Sequence, residues 1–331
     1  MKIFYAAQAT GNGHVSRLME LYPYLCRYGQ VDVFLSGSNS TLDPGIPVKF
    51  RSEGFSMHYT CRGGLHYGKT LSMRSVLRVE KEARSLPLEN YDLIINDFES
   101  ITSLACRRKN LKSIHFGHQA SFVSPYTPRP EKKNVVGEWI LAHYASGSRH
   151  MGLHFRQYDT FILPPVIKED IWHASPGDQG HITVYLPSFC DKQLVRIFSK
   201  IRHRKFEIFS RQAREISALA NLRLLPVDKA LFNKSLISCH GIICGAGFET
   251  PAEALYLDKK IIAIPIRGQY EQLCNAAALD RLGVICLDNI HPDFPSVIHR
   301  WLERPAPVHR IPFRPTSQIV EAMFEAAPVN D

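Results

Sequence analysis

Short apolar runs alternate with longer amphipathic segments along the whole chain, and this alternation constrains the fold more than any other feature. The first run, Ile3 to Ala7, leads into a glycine turn and then into a segment from His14 to Arg27 with helical periodicity. Apolar strands that alternate with helices are typical of a doubly wound parallel sheet, which carries helices on both faces. We therefore predict an α/β fold.

The same alternation occurs in both halves of the chain. In the first half we predict further strands at 31–35, 91–96 and 112–116 and a helix at 99–108. In the second half we predict strands at 181–186, 205–209, 222–225, 238–243 and 260–264 and helices at 191–201, 250–257 and 269–282. Open sheets of this kind bind ligands at the carboxyl ends of their strands, so we expect the site in a cleft between two facing domains.

The length of the chain agrees with two domains, because 331 residues are too many for one ordinary core. Linker-type residues crowd the stretch between about 155 and 180, namely Pro164, Pro165, Pro176 and Gly177. We predict a Rossmann-like N-terminal domain at 1–160, a Rossmann-like C-terminal domain at 161–314 and a helix at 315–331 that packs back on the N-terminal domain.

The composition narrows the range of partners. A net charge of +9 attracts anions such as nucleotide phosphates and lipid headgroups, but the basic clusters lack an RNA-binding aromatic pattern, so we expect no nucleic acid partner. The eight cysteines include no C-x-x-C pair and indicate reduced, buried thiols. Without a visible signal peptide or an 18-residue apolar stretch, we expect a cytoplasmic protein, with peripheral contact at the inner membrane face left open.

The turn after the first predicted strand is a candidate site. Gly11 and Gly13 let the backbone approach a ligand closely, and His14 stands at the start of the following helix. An imidazole there can act as a general base near neutral pH, or it can simply hydrogen-bond its own turn. Arg17 stands near the place where a dinucleotide fingerprint has its third glycine, so we do not expect NAD binding.

Asp97 ends the strand at 91–96 and so lies on the same carboxyl edge as the glycine turn. Its carboxylate can orient His14 and stabilise the protonated ring, or it can cap the helix that begins near Glu99. His115 and His118 follow the next strand on the same rim, where His118 is a candidate for acceptor contact or a structural residue.

The strongest signal is the segment from Cys244 to Leu255, where an apolar strand runs into a Gly-x-Gly turn and a helix with Pro251 in its first turn. Free N–H groups at such a helix start suit a pyrophosphate, and Glu253, one turn inside, can accept ribose hydroxyls. A polar helix start follows the next strand, with Gln269, Glu271 and Gln272 as candidate sugar ligands or as a merely solvated helix start.

This order of motifs resembles the donor-binding half of GT-B glycosyltransferases, in particular the UDP-glycosyltransferase superfamily and the N-acetylglucosaminyltransferase that forms lipid II. One branch of bacterial and archaeal members carries Gly-x-Gly-His and Gly-Gln-x-Glu-Gln, which stand here at Gly11 to His14 and Gly268 to Gln272. The resemblance spans nearly the whole chain. It implies a GT-B fold of two facing Rossmann-like domains and a nucleotide-sugar donor, with uracil as the base and thymine as the alternative.

The resemblance also assigns roles to individual residues. The donor phosphates are assigned to the turn with Gly245, Gly247, Phe248 and Thr250 and to Ser188, while the ribose is assigned to Glu253. The sugar and the base are assigned to Gln269, Glu271, Gln272 and Val227. On the acceptor side, Gly11, Gly13 and His118 accompany a catalytic His14 and its partner Asp97.

Two positions depart from the family pattern. Gly245 stands where many relatives carry a phosphate-binding histidine, and Glu249 stands where many have asparagine. A carboxylate beside a diphosphate is unfavourable, and Arg267 is a candidate to compensate for it.

The implied reaction is an inverting transfer of a sugar to a hydroxyl acceptor, with no cofactor and, since no Asp-x-Asp motif is present, no metal ion. A basic amphipathic stretch at 61–84 suggests a lipid or cell-envelope acceptor at a membrane surface, or a solvated helix with one core face. Two rival functions remain: a nucleotide-sugar hydrolase, whose Gly-x-Gly-His is likewise followed by Arg, and a non-catalytic nucleotide-sugar-binding subunit.

Overall fold

The structure is a computed structural model that describes residues 1–38, 40, 42–54, 73–306 and 310–327, with side chains from residue 76 onward in the helix that begins at Met73. Within these residues, the chain forms two seven-stranded sheets and eleven α-helices. The predicted α/β architecture with two Rossmann-like sheets is confirmed.

The first sheet is parallel throughout and has the strand order β3-β2-β1-β4-β5-β6-β7. Its strands are β1 (Lys2–Gln8), β2 (Gln30–Ser36), β3 (Phe50–Ser52), β4 (Leu93–Asp97), β5 (Ile114–Gly117), β6 (Arg149–Leu153) and β7 (Ile162–Leu163). The order reverses between β1 and β4, so the carboxyl ends of these two strands flank the crevice where ligands of such sheets bind.

The second sheet has the order β10-β11-β9-β8-β12-β13-β14 and is parallel except for the pair β10–β11. Its strands are β8 (His181–Tyr185), β9 (Lys205–Ser210), β10 (Ser217–Leu219), β11 (Leu222–Pro226), β12 (Gly241–Gly245), β13 (Lys260–Ile264) and β14 (Ile285–Cys286). Here the order reverses between β8 and β12.

The helices follow the strands in alternation. They are α1 (Asn12–Leu25), α2 (Met73–Ser85), α3 (Ser100–Lys109), α4 (Val135–His143), α5 (Glu169–Trp172), α6 (Asp191–Phe198), α7 (Lys229–Ser238), α8 (Glu249–Tyr256), α9 (Tyr270–Asp280), α10 (Phe294–Glu303) and α11 (Thr316–Glu325). Two short 3₁₀ helices lie at Leu88–Asn90 and Gln119–Val123. None of the helices that these residues form is long and apolar enough to cross a bilayer.

The predicted strands and helices all occur, with shifted ends. Within the two sheets and their helices the largest shifts are of three residues, at the helix predicted over 191–201, which ends at Phe198, and at the strand predicted over 238–243, which begins at Gly241. The short edge strands β3, β7, β10 and β14 were not predicted, because two or three residues are too few to show a strand period. The strand β7 lies beyond residue 160, yet it pairs with β6 and so belongs to the first sheet. The domain limits at 160 and 314 remain a prediction.

Residues 61–72 of the basic stretch predicted at 61–84 lie outside the described residues. In its described part, α2 buries Val79 and Ala83 and leaves Leu77 in solvent. Arg84 pairs with Glu80 one turn away. The described part therefore has the form of a solvated helix with one core face.

The C-terminal helix α11 packs against α1, the helix that follows the N-terminal glycine turn. Ile319, Val320 and Met323 are completely buried in this contact, and Phe324 stacks on Tyr28 with ring centroids 3.8 Å apart. The last helix thus completes the core around α1, although it lies almost 300 residues away in the sequence.

We predict that Ile319→Ala lowers the free energy of unfolding by about 2–5 kcal/mol, because it leaves a cavity in this core. Glu321→Ala, an exposed position on the same helix, should stay within about 0.5 kcal/mol of the wild type. Denaturant unfolding of both variants measures the difference. Equal stability of the two would show that α11 does not belong to the cooperative core.

Candidate functional site

The carboxyl ends of the two sheets face each other across a cleft with a cavity volume of about 560 Å³. From the first half, the cleft is lined by residues that follow β1, β4 and β5. From the second half, it is lined by residues that follow β8, β9, β11, β12 and β13. Both topological switch points therefore open into the same space, as the sequence predicted.

The structure brings most of the predicted site residues into this cleft. Those that line it are Gly11, Gly13, His14, His118, Ser188, Val227, Gly247, Phe248, Thr250, Gln269, Glu271 and Gln272. Asp97, Gly245 and Glu253 do not line it, but Asp97 contacts His14 and Glu253 contacts Lys168, and both of those do.

His14 and Asp97 are in direct contact, with 2.8 Å between Nδ1 of the ring and Oδ1 of the carboxylate. Asp97 is completely buried, and the Tyr5 hydroxyl donates to its other oxygen at 3.2 Å. Burial alone would raise the pKa of Asp97, but the charges of Arg17 and His14 hold it well below its usual range. Asp97 is therefore an ionised hydrogen-bond acceptor behind a half-buried imidazole.

The alternative role considered for Asp97, capping of α3, is wrong. The side chain of Glu99 caps this helix instead, because its two oxygens accept from the backbone N–H groups of Ile101 at 2.8 Å and Thr102 at 2.6 Å. Asn96 fixes Glu99 in turn. Its side-chain amide donates to the Glu99 carbonyl, and its side-chain oxygen accepts from the Glu99 backbone N–H. Asp97 is thus left free to face α1.

Arg17 is the residue of this site that the sequence did not reveal. It is 3% exposed, and it donates to both oxygens of Asp97, from Nε at 3.0 Å and from Nη2 at 2.8 Å. Its Nη1 donates across the cleft to Glu249 of the second half. The expectation that Arg267 compensates for Glu249 is therefore wrong, since Arg17 does so and Arg267 is exposed outside the cleft lining.

Two glycines make this charge cluster sterically possible. Gly117 has a φ of +105°, and a Cβ there would lie 2.6 Å from Asp97 Oδ1 and 3.1 Å from Arg17 Nη2. A Cβ at Gly13 would lie 2.5 Å from the Glu249 carboxylate. The second glycine of the N-terminal turn therefore admits a side chain from the other half of the molecule.

The C-terminal turn presents a helix start to the cleft. Phe248, at the start of α8, makes no side-chain cap hydrogen bond, and among the described residues other than its chain neighbours no atom lies within 4 Å of the position that a Cβ on Gly247 would take. Backbone N–H groups at such a helix start bind anions, and the helix dipole adds to the attraction. This geometry suits a phosphate group in front of Gly247.

His118 holds the two halves together. Its ring stacks on Phe248 with centroids 4.0 Å apart, and its Nε2 lies 2.6 Å from Asn275 Oδ1. The amide of Asn275 donates to the carbonyl of Ala246 at 3.0 Å. The rim histidine thus has a structural contact with the donor-side turn, although it also lines the cleft.

Two predicted donor ligands have partners within the protein. Glu253 is buried, and Lys168 Nζ lies 2.9 Å and 3.1 Å from its two oxygens. Burial raises the pKa of Glu253 despite this lysine. Gln272 accepts from the backbone N–H of Ile266 at 2.9 Å and so fixes the loop after β13.

The described residues contain no cluster of three or more His, Cys, Asp and Glu side chains that could hold a metal ion. The cationic side chains that line the cleft are Arg17, Lys168, Arg211 and Lys229.

This arrangement of two facing sheets with a cleft between their carboxyl ends defines the GT-B class of glycosyltransferases. MurG of Acinetobacter baumannii matches with a TM-score of 0.59 at 14% identity, over 98% of this chain and 99% of that one. The spinosyn rhamnosyltransferase SpnG complexed with thymidine diphosphate matches with a TM-score of 0.56 at 12% identity, over 99% and 97%. Arabidopsis thaliana UGT89C1 complexed with UDP matches with a TM-score of 0.55 at 12% identity, over 98% and 94%.

The model of the family described as Glycosyl transferase family 1 matches residues 1–304, and the chain belongs to this family. No curated protein matches the chain significantly in sequence. The protein is therefore a glycosyltransferase with a GT-B fold, as its motifs predicted.

His115 lies on β5 and is buried, and neither of its ring nitrogens has a hydrogen-bond partner among the described residues. Burial and the neighbouring His150 lower its pKa to about 3. His118 and His154 are also buried, and burial lowers their pKa values. The folded protein therefore keeps these rings neutral to a lower pH than the unfolded chain, which takes up protons below about pH 6.5.

We predict that the free energy of unfolding decreases as the pH falls from 7 to 5, because the unfolded state binds more protons in this window. His115→Leu should reduce the slope by about 1.4 kcal/mol per pH unit, the amount that one proton contributes. His173→Ala, at an exposed histidine, should leave the slope unchanged. Guanidinium unfolding at several pH values tests this, and an unaltered slope in His115→Leu would contradict it.

Proposed function

We propose that this glycosyltransferase is an inverting enzyme that moves a sugar from a nucleoside diphosphate sugar to an acceptor hydroxyl without a metal ion. The observation that carries the proposal is the 2.8 Å contact between His14 and the buried Asp97, at a cleft whose opposite wall is the start of α8. A base with its orienting carboxylate thus faces a place for a leaving diphosphate.

In the proposed reaction, Nε2 of His14 takes the proton of the acceptor hydroxyl, and the hydroxyl oxygen attacks the anomeric carbon of the donor sugar. The bond from that carbon to the diphosphate breaks, and the nucleoside diphosphate leaves with the electron pair. Asp97 keeps the ring in position and stabilises the imidazolium that forms. Attack from the side opposite the leaving group inverts the anomeric configuration.

The leaving diphosphate would lie against the turn at Gly247 and Phe248, where backbone N–H groups and the helix dipole meet its growing charge. Ser188 and Thr250, which carry hydroxyl groups, also line the cleft, and Arg211 adds a positive charge. These groups supply what a metal ion provides in other transferases. The diphosphates bound to SpnG and UGT89C1 make a uridine or thymidine diphosphate sugar the first choice of donor.

For the sugar, the base and the ribose of the donor, we propose ligands from the places of residues along the cleft. Gln269 and Glu271 line the cleft beyond the phosphate turn and are placed for sugar hydroxyls, while Val227 follows β11 where a base would lie. A ribose would reach Glu253 only after Lys168 moves aside, whereas Lys168 itself already lines the cleft.

We predict that His14→Ala lowers turnover by about 10²–10⁴-fold, the usual contribution of a general base, and leaves donor affinity within about threefold. His173→Ala serves as the control, because that ring is exposed and pairs with Glu169 at the start of α5, outside the cleft lining. Steady-state rates and donor titration by calorimetry measure the two quantities. Full activity of His14→Ala would exclude His14 as the base.

A donor panel tests the proposed function itself. Purified protein is incubated with UDP-, dTDP- and GDP-sugars without acceptor, and both thermal stabilisation and nucleotide release are recorded. Stabilisation by one donor with slow release supports a transferase. Rapid release without acceptor would favour the rival hydrolase, and no stabilisation by any nucleotide sugar would overturn the donor site.

For the acceptor, we propose a lipid-linked or cell-envelope glycoconjugate that the protein meets at the cytoplasmic face of a membrane. Support comes from exposed apolar side chains on and before α4, namely Tyr126 (70% exposed), Val135 (83%), Val136 (59%) and Trp139 (60%). Exposed Lys132 and Lys133 lie beside them, so the surface combines apolar anchors with positive charge.

We predict that the double variant Val135→Ser/Trp139→Ala binds phosphatidylglycerol vesicles at least about tenfold more weakly than the wild type, because it loses apolar area that the bilayer would bury. Donor binding should not change. Leu219→Ser removes an exposed apolar side chain from β10 in the second half and should have no effect. Vesicle sedimentation measures binding, and equal binding of all three proteins would contradict membrane contact through this surface.

A further inference from the structure

The Nδ1 atom of His14 has two neighbours with opposite hydrogen-bonding character. Asp97 Oδ1 lies at 2.8 Å and, being ionised, can only accept a hydrogen bond. Arg17 Nη2 lies at 2.9 Å and can only donate one. A single ring nitrogen cannot satisfy both neighbours, so the surroundings of Arg17 decide which of the two contacts becomes a hydrogen bond.

The choice between these contacts determines whether His14 can act as a base. If Nδ1 carries the proton and donates to Asp97, Nε2 has a lone pair that points away from Asp97 and Arg17 and can accept a proton. If Nδ1 accepts from Arg17 instead, the proton resides on Nε2, and the ring cannot take another proton there. Nε2 lies 3.4 Å from the amide nitrogen of Gln119 at the cleft lining.

Glu249 is the residue that balances Arg17. Its side chain is 23% exposed, stands at the first position of α8, and accepts from Arg17 Nη1 across the cleft. With Glu249 in place, two carboxylates share one guanidinium, and Asp97 retains enough negative charge to bind the His14 N–H. Without Glu249, the guanidinium would depend on Asp97 alone and would turn a free N–H toward His14 Nδ1.

We propose that Arg17 is a positioning residue that determines which nitrogen of His14 carries the proton, and that Glu249 holds Arg17 in the state that leaves Nε2 free. The inference rests on the proposed role of His14 as base. Because Arg17 belongs to the first half and Glu249 to the second, the base is complete only when the two halves are in contact. This gives a reason for a carboxylate beside the diphosphate site.

Other groups around the ring do not compete for Nδ1. Tyr5 donates to the second oxygen of Asp97, and Phe98 stacks roughly parallel to the His14 ring at 6.4 Å. His115 is buried with its pKa lowered to about 3 and is therefore neutral. The Gln119 amide nitrogen lies 3.4 Å from Nε2 and is unchanged in the variants below, so a difference in proton position between them comes from Asp97, Arg17 and Glu249.

Glu249→Gln separates this role from an effect on donor binding. Removal of a negative charge beside a diphosphate should leave the donor KM unchanged or lower it. If Glu249 holds Arg17 as proposed, kcat should nevertheless fall by about tenfold or more. An unchanged or higher kcat in Glu249→Gln would overturn the proposal.

The proton position can be read without donor or acceptor, by long-range ¹⁵N–¹H correlation spectra of protein labelled in its histidines. The spectrum of His14→Gln identifies the His14 signals. The wild type should show the proton on Nδ1, and Glu249→Gln should shift it toward Nε2. The same pattern in both proteins would overturn the inference, while a correct shift with no transferase activity would mean that only the proposed function has failed.

Glu138→Gln is the matched control, because Glu138 also accepts a hydrogen bond from the second half of the chain, from the Tyr270 hydroxyl at 2.6 Å, and lies outside the cleft lining. This variant should leave the His14 pattern unchanged. In an Arg17→Met background, Glu249→Gln should no longer shift the proton, since the competing donor is gone. A shift that persists there would show that Glu249 acts without Arg17 and would overturn the proposal.

Discussion

The ion pair between Arg17 and Asp97 is the interaction on which the site depends. Both side chains are buried, and a buried charge is tolerated only when it is paired with good geometry. Two parallel hydrogen bonds fix the guanidinium of α1 against the end of β4, at the switch point of the first sheet. The position of His14, three residues before Arg17 on the same helix, follows from that contact.

The cleft is a product of both halves of the chain. Arg17 reaches Glu249, and His118 stacks on Phe248 and contacts Asn275, so each wall is held by side chains of the other. The two halves come close together at Gly13, because a residue without a side chain leaves room there for the Glu249 carboxylate. A site assembled in this way couples the geometry of the proposed base, His14, to the relative position of the two sheets.

The sequence predicted the sheets because buried parallel strands are almost continuous apolar runs, and it predicted the meeting of His14 with Asp97 because adjacent strands share one carboxyl edge. It could not reveal Arg17, since a charged residue in an amphipathic helix is normally solvated and its partners lie 80 and 232 residues away. Nor could it show that Glu253 is held by Lys168, because that contact depends on tertiary packing.

The charges of the cluster also give a reason for a carboxylate beside the proposed diphosphate site. With neutral His14, one guanidinium faces the two carboxylates of Asp97 and Glu249, so the cluster carries one excess negative charge. That charge is unfavourable for a bound diphosphate. Once His14 takes up a proton the cluster becomes neutral, and the same charge stabilises the imidazolium. An interaction that costs affinity in the ground state and contributes in the transition state raises the rate, since only the difference between the two accelerates the reaction.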